Sequence, residues 1–337
     1  MTVPAPVVDT NATAVRRFRL VAIFVPIALT LMSLIVQLVV LPRVPATIAI
    51  HWGATGQADG FGPAWTQPVI SVVVGLGIPL LIALTSLSGL RRGDRGPTYR
   101  LMGAVAASIS ALAAVLFVWT LVAQIDLTDA ADAPTVFPGM LLALGAALLV
   151  GVAAWFVQPN EPARSVSRTA APEMTLTPGE QVAWFGEATM GRAAVIIMGL
   201  TCALMVGLAL VLWAVGAPIV AAIAVSVAAV VLVLAAATST TFRVRVDAEG
   251  LSVVSIAGFP RFRVPLSEIT SVRVSDVSPM GEFGGWGIRK TIGAFGIVVR
   301  RGPAIDVLRT SGQHFVVTVD DAARGAAVLE ALARRDA

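Results

Sequence analysis

The sequence predicts an α-helical polytopic membrane protein: six transmembrane helices, then a β-rich module closed by one helix. Three observations predict it. The 337-residue chain is 57% hydrophobic and only 13% charged, against about 25% charged in a soluble domain, so a water-soluble protein of this size could not cover its surface. Six apolar stretches free of Asp, Glu, Lys, Arg and His each approach or exceed the roughly 20 residues needed to cross the hydrocarbon layer as a helix. Beyond residue 240 the pattern changes to short alternating segments with a period of two. A lone cysteine, Cys202, excludes a disulfide scaffold.

The predicted spans are Leu20–Leu41, Val69–Leu90, Leu101–Ile125, Val136–Val157, Ala193–Val215 and Ile219–Ala237. The first follows a tail, residues 1–19, that ends in Arg16, Arg17 and Arg19. Its apolar core is longer than the roughly 7–15 residues of a signal peptide, and no small-residue cleavage site comes before Pro42, so it reads as a retained helix. Pro26 and Pro79 interrupt the first two spans, where neighbouring helices can satisfy the carbonyls they free. In the fifth span Gly199, Ala203 and Gly207 form a small-residue stripe. It could be a dimer seam, but packing against the sixth helix is favoured. Gly216-Ala217-Pro218 makes the last two spans a tight hairpin over 192–240.

Loop arginines set the orientation. Arg16, Arg17, Arg19, Arg91, Arg92, Arg95, Arg100, Arg164, Arg168 and Arg192 flank one set of helix ends, and only Arg43 flanks the other. Both termini are therefore expected in the cytoplasm of a multi-pass cell-membrane protein, with connections 42–68, 126–135 and 216–218 facing outward. Asp126, Asp129 and Asp132 fit a disordered outward loop better than a calcium site. The linker 158–191 holds Pro159, Pro162, Pro172 and Pro178, too many for regular structure. At its end Trp184 and Phe185 are expected at headgroup level.

Residues 241–337 predict seven strands: one through Phe242, Val244 and Val246, then Leu251–Ile256, Arg261–Pro265, Ile269–Val274, Ala294–Arg300, Ala304–Thr310 and His314–Val319. Asp320 or Asp321 caps a last helix with Val328, Leu329 and Leu332 on one face. This order, with Trp286-Gly287-Ile288-Arg289, Arg300-Arg301-Gly302-Pro303-Ala304 and Phe315–Asp321, resembles the bacterial pleckstrin-homology-like fold over about 178–337. The resemblance implies a cytoplasmic PH-like domain, though fold alone grants no lipid binding. Trp286, Arg289 and Lys290 could touch anionic headgroups or be solvated strand-end charges. Gly281–Gly287 lacks the strand–turn–helix context of a phosphate loop and reads as a flexible connection.

The most distinctive segment is the first outward loop. Its Leu41, Pro42, Pro45, His51, Trp52, Gly56, Asp59, Gly60 and Phe61 lie at a spacing that resembles the domain-of-unknown-function 1648 (DUF1648) family over about 20–85. That resemblance implies a relation to SdpI-like toxin-immunity membrane proteins. Glycines 53, 56, 60 and 62 favour an ordered, turn-rich loop, and Pro42 and Pro45 stiffen its exit from the helix. His51 and Asp59 could hold a peptide, fix the loop through a mutual hydrogen bond, or bind a metal, for which two ligands are too few. Gln57 and Trp52 share this candidate ligand surface. Gln37 and Gln124, near the outer ends of their helices, could line a shallow pocket with it or bond between helices.

No HExxH, CxxC or phosphate-loop pattern occurs, and His51 and His314 are placed on opposite sides of the membrane, so no enzyme activity and no cofactor or metal are expected. In 241–337, 13 basic residues face 10 acidic ones without a basic helix face, which argues against nucleic acid. No span holds an ionisable residue of the kind ion-coupled transport uses. The expected partners are the lipid bilayer, an extracellular peptide or lipid at 42–66, and a cytoplasmic protein at 241–337. The expected function is SdpI-like sensing or immunity, or envelope-associated binding, with a lipid or small-solute transporter using helices 1–4 as the alternative. Arginine makes up 23 of the 24 basic residues, a bias expected of an actinobacterial genome.

Overall fold

The computed structural model describes residues 10–163, 167–177, 179–214, 216 and 219–336. Contacts divide the chain into two compact units, Met1–Arg164 and Ser165–Ala337. The tail before Thr10, Arg164, Pro178, Val215 and the Ala217-Pro218 half of the hairpin turn lie outside the described residues.

Among the described residues, six helices are long and apolar enough to cross a membrane. Four belong to the first unit: α1 Asn11–Arg43, α2 Thr66–Arg91, α3 Pro97–Val122 and α4 Phe137–Val157. Helix α1 reaches back to Asn11, so Arg16, Arg17 and Arg19, expected in a tail ahead of the span, lie on its first turns. One π-helical segment precedes each internal proline: Leu20–Phe24 before Pro26, and Val73–Gly77 before Pro79. Proline offers no N–H, and a π-turn absorbs the missing bond. At Pro79 the carbonyl four residues back is that of Gly75, and Ser110 Oγ on α3 donates to it at 2.6 Å.

Helix α3 is the hub of this unit. It buries Gly103, Ala104, Ala106, Ala107, Ser110, Ala111 and Ala113, small residues that let its neighbours approach. Helix α4 answers with Gly139, Ala143, Ala147 and Gly151, spaced four apart and all buried. A Cβ at Gly139 would lie 1.9 Å from Trp119 Cδ1, and one at Gly151 would lie 2.2 Å from Ser108 Oγ. Van der Waals packing of this kind drives helix association in lipid. The stripe singled out in the sequence behaves otherwise: no atom lies within 4 Å of a Cβ built at Gly199 or Gly207. Those glycines therefore do not pack against the sixth helix as favoured above.

The second unit holds the hairpin helices α5 Arg192–Ala214 and α6 Ile219–Ser239, joined by a Trp213 Nε1 bond to Ser226 Oγ at 3.1 Å. Its β-rich part has more strands than expected. After β1 Thr47–Trp52 and β2 Ala58–Pro63 of the first unit, the described residues of the second form ten: β3 Arg168–Ala170, β4 Trp184–Thr189, β5 Thr241–Asp247, β6 Gly250–Ser255, β7 Arg261–Val264, β8 Ile269–Val277, β9 Gly287–Thr291, β10 Ala294–Val298, β11 Gly302–Arg309 and β12 His314–Thr318. Strands β4-β5-β6-β7 make one sheet and β3-β8-β11-β12-β10-β9 another. Helix α7 is the single turn Pro279–Glu282, and α8 Ala322–Asp336 closes the chain.

Two of the extra strands, β3 and β4, come from the segment read as an irregular proline-rich linker. Strand β4 pairs with β5 along its whole length, Trp184↔Val246 to Thr189↔Thr241, so the membrane hairpin is an insertion between two paired strands. Trp184, expected among headgroups, is instead a core residue only 7% exposed, packed with Phe242, Leu251, Ile305 and Leu329 between the sheets and α8. Phe185, one residue on, points out of the sheet. Asp306, its side chain 1% exposed, accepts Arg168 Nε and His314 Nδ1, both at 2.6 Å, and so ties the short β3 to the sheet. Where a flexible connection was expected, Phe283 is buried against Val277, Val298, Ala304 and Val316.

Candidate functional site

The first loop is a β-hairpin. Strand β1 pairs antiparallel with β2, Thr47↔Pro63 through Trp52↔Ala58, with register shifts on either side of His51. The shifts leave Ile50 and Asp59 unpaired as compensating bulges, one on each strand. Bulges re-aim side chains, and here they set Asp59 beside His51: His51 Nδ1 and Asp59 Oδ1 are 2.5 Å apart. A carboxylate can only accept, so Nδ1 carries the proton and Nε2 is left for a partner outside the loop. The side chains are 71% and 53% exposed, so this pair adds about 0.2–1 kcal/mol at most. It orients the imidazole more than it holds the fold. Gly60 sits opposite His51, where a Cβ would meet His51 Cβ at 2.8 Å, and one at Gly53 would meet Asp59 Oδ2 at 2.7 Å.

What holds the hairpin is buried beneath it. Gln124, wholly buried, follows the end of α3 and turns its amide onto the free edge of β1. Its Oε1 accepts from the Ala49 N–H at 2.6 Å, and its Nε2 donates to the Ala49 carbonyl at 3.1 Å and to the Thr120 carbonyl at 2.8 Å. The side chain thus stands in for a third strand over one residue. Ile48 packs with Ala64 and Leu121 below. Gln37, also wholly buried, donates to Ser33 Oγ at 2.9 Å and Ser71 Oγ at 3.0 Å, linking α1 to α2. Gln67 Nε2 donates to the Phe117 carbonyl and to Thr120 Oγ1, linking α2 to α3. Both sequence-selected glutamines therefore serve the scaffold and neither reaches the surface.

The second loop completes the platform. Trp52 Nε1 donates to the Pro134 carbonyl at 3.1 Å, and the Val136 N–H donates to the Gly56 carbonyl at 3.2 Å. Gly56, at φ +77°, is buried under Phe137 and Thr135, where a Cβ would come within 2.4 Å of the Phe137 ring. Arg43 and Asp126 are tied twice: side chain to side chain at 2.5 Å, and Asp126 N–H to Arg43 carbonyl at 2.8 Å, with Asp126 held at φ 59°. Asp129 Oδ1 caps the short turn Ala130–Asp132 through the Ala131 N–H. The loop expected to be disordered is thus ordered, and the lone arginine of this end is committed to it.

Pro45, Thr47, Phe61, Thr128, Asp129, Ala130 and Ala131 enclose a cleft of about 340 Å³ between hairpin and second loop. Of its lining Phe61 is 45% exposed, and elsewhere on or beside the hairpin Ile50 and Trp65 are 42% and 63% exposed; Gln57 is exposed at the hairpin tip. Pro42 sits in the last turn of α1. The site residues the sequence missed are Asp129, Pro134 and Thr135 in the second loop and Phe137 at the start of α4; the single arginine-to-aspartate match across the two loops was the available signal.

At the opposite end of this unit, arginines close helix ends. Arg17 donates to the Val157 carbonyl at 2.7 Å and Arg100 to the Trp155 carbonyl at 2.6 Å, the placement a helix C-terminus favours. Arg95 pairs with Glu161 at 2.5 Å. In the second unit, Trp286 precedes the edge strand β9, which carries Arg289 and Lys290; Arg289 Nε donates back to the Trp286 carbonyl at 2.8 Å.

No curated protein and no solved structure matches the chain. A family model does, at residues 28–76, and its description is "Domain of unknown function (DUF1648)". The match spans the C-terminal half of α1, the whole β1–β2 hairpin and the first part of α2.

Proposed function

We propose that the hairpin end is an outward-facing receptor surface for an apolar, cationic peptide, in a multi-pass sensing or immunity protein of the cell membrane. One observation carries the reading: a hairpin held by a buried glutamine clamp nevertheless exposes a polar pair and three large apolar side chains, one of which, Phe61, lines a cleft against the second loop. Preorganisation of this kind lowers the cost of binding. Ile50, Phe61 and Trp65 offer apolar contact. Asp59 and Asp129 offer negative charge, while Arg43 is already neutralised by Asp126, so the balance favours a cationic ligand. His51 Nε2 is free to accept from, or when protonated donate to, a ligand group.

The arginines at the opposite end of the helices support the outward orientation, which goes with both termini on the cytoplasmic side. The loop's resemblance to immunity proteins agrees with this reading, which assigns the protein no catalytic step. The test is sensitivity of cells to cationic peptides, comparing the native chain with His51→Ala and Asp59→Arg. Loss of protection in both at unchanged protein level supports the reading. Unchanged protection together with uptake of a labelled lipid or solute by proteoliposomes would replace it with the transporter reading.

A further inference from the structure

We infer that the β6–β7 turn of the second unit is a second membrane contact, in which Ile256 and Phe259 enter the interface of the bilayer that α5 and α6 cross and Arg243 and Arg261 meet anionic headgroups. Strand β5 leaves α6, which ends at Ser239, and β6 runs antiparallel to it, back toward the membrane. The Ile256 N–H bonds the Thr241 carbonyl at 3.0 Å, two residues past the end of α6. The turn Ala257–Pro260 then continues past that row, toward the bilayer.

The turn is built to hold an apolar tip forward. Gly258 takes φ +84°, and its N–H bonds the Ser255 carbonyl at 2.8 Å while the Ser255 N–H bonds Pro260 at 3.0 Å. Phe259 is left 75% exposed and Ile256 52% exposed. Large apolar groups on so well-ordered a turn cost solubility unless something covers them. The nearest apolar phase fixed by the chain itself is the membrane around α5 and α6.

Charge on the outer face of the same sheet follows distance from that membrane. In register across the sheet, Glu187, Arg243, Val254 and Arg261 form one row, and Phe185, Arg245, Ser252 and Arg263 form the next row away from the helices. In the far row Arg245 pairs with Asp247 and Arg263 with Glu249. In the near row, among the described residues, Arg243 and Arg261 have no carboxylate within 4.0 Å; Arg261 Nε only closes its own turn on the Gly258 carbonyl. Glu187 is the one acidic group in that row, and Arg192 adds a further exposed positive charge at the start of α5. The near row lies about 7 Å beyond Thr241, at about 3.3 Å per residue, which is the depth of a headgroup layer roughly 5–8 Å thick. The edge strand β9, with Arg289 and Lys290, belongs to the other sheet and has no register to the hairpin.

The test uses the full chain with Cys202→Ser in lipid vesicles. A nitrobenzoxadiazole dye is attached either at Phe259→Cys or, as the control, at Ala248→Cys in the far turn, and dithionite is added outside. In vesicles containing phosphatidylglycerol, the accessible label at 259 should be reduced several-fold more slowly than that at 248. Arg243→Gln and Arg261→Gln should each remove about five-fold of the protection that depends on anionic lipid, the worth of one basic group at such a surface. Equal rates at 259 and 248 would overturn the inference. So would protection that ignores lipid charge and grows with protein density, because the turn would then cover a second copy of the chain.

Discussion

Replacing Gln124 with leucine removes the clamp while keeping the volume. Ala49 is 0% exposed, so its N–H and C=O, which Gln124 meets at 2.6 and 3.1 Å, would have no water to turn to. Each orphaned buried backbone group costs about 1–3 kcal/mol, so Gln124→Leu should loosen the hairpin by about 2–6 kcal/mol in total. Gln124→Glu, which at neutral pH keeps an acceptor for the Ala49 N–H but loses the donor to the carbonyl, should fall between. The assay is hydrogen exchange of residues 45–52 in the full chain in nanodiscs. A loss of 2 kcal/mol from the local opening free energy speeds exchange by about 30-fold, while α3 above Val122 should keep its native rates. If exchange at 45–52 were unchanged, the hairpin would be held by packing of Ile48 and Leu121 alone, and the clamp argument would be refuted.

Other outcomes follow from the same geometry. Gly56→Ala should cost about 1–3 kcal/mol through its positive φ, with a further cost from the Phe137 contact, and should free the tip for proteolysis. Gly139→Leu or Gly151→Leu should lower the melting temperature of the detergent-solubilised protein by wedging α4 off α3, whereas Gly207→Leu should leave it unchanged. Asp306→Ala should destabilise the β-rich unit by about 1–3 kcal/mol by leaving Arg168 and His314 without their shared acceptor, read as faster exchange in β3 and β11. The Thr177 backbone N–H, then its hydroxyl, hold the Glu180 carboxyl below the ordinary glutamate range. That turn is therefore complete above the unfolded glutamate value and comes apart as pH falls through the lowered one. Thr177→Val should move the Glu180 titration part of the way back up, as followed by carboxyl NMR.

The spans were legible because hydropathy is a property of single residues summed along the chain, and because Asp, Glu, Lys, Arg and His are absent from the apolar stretch at the heart of each. The DUF1648 loop was legible as a pattern and as an ordered segment. Its strands were not, because the bulges at Ile50 and Asp59 break the period of two that would have revealed them. Strand β3 is three residues long, too short for any period, and its place depends on Arg168 finding Asp306 across 138 residues. Trp184 was misplaced because nearness in sequence to α5 was taken for nearness in space; an extended strand carries it away from the helix and into the core. The stripe Gly199, Ala203 and Gly207 has the same spacing as Gly139, Ala143, Ala147 and Gly151. Spacing alone could not tell which one meets a neighbour. The glutamines show the same limit: a polar residue at the end of an apolar span looks alike whether its amide faces a ligand or a strand edge.

The most direct test is of which side of the membrane the clamped hairpin faces. With Cys202→Ser, single cysteines at Gln57, at Arg92 between α2 and α3, and at Ala248 in the β-rich unit can be offered a membrane-impermeant maleimide on intact cells. An outward-facing hairpin requires that only the cysteine at 57 reacts, and that those at 92 and 248 react once the membrane is permeabilised. Labelling of 92 or 248 from outside, with 57 protected, would contradict it.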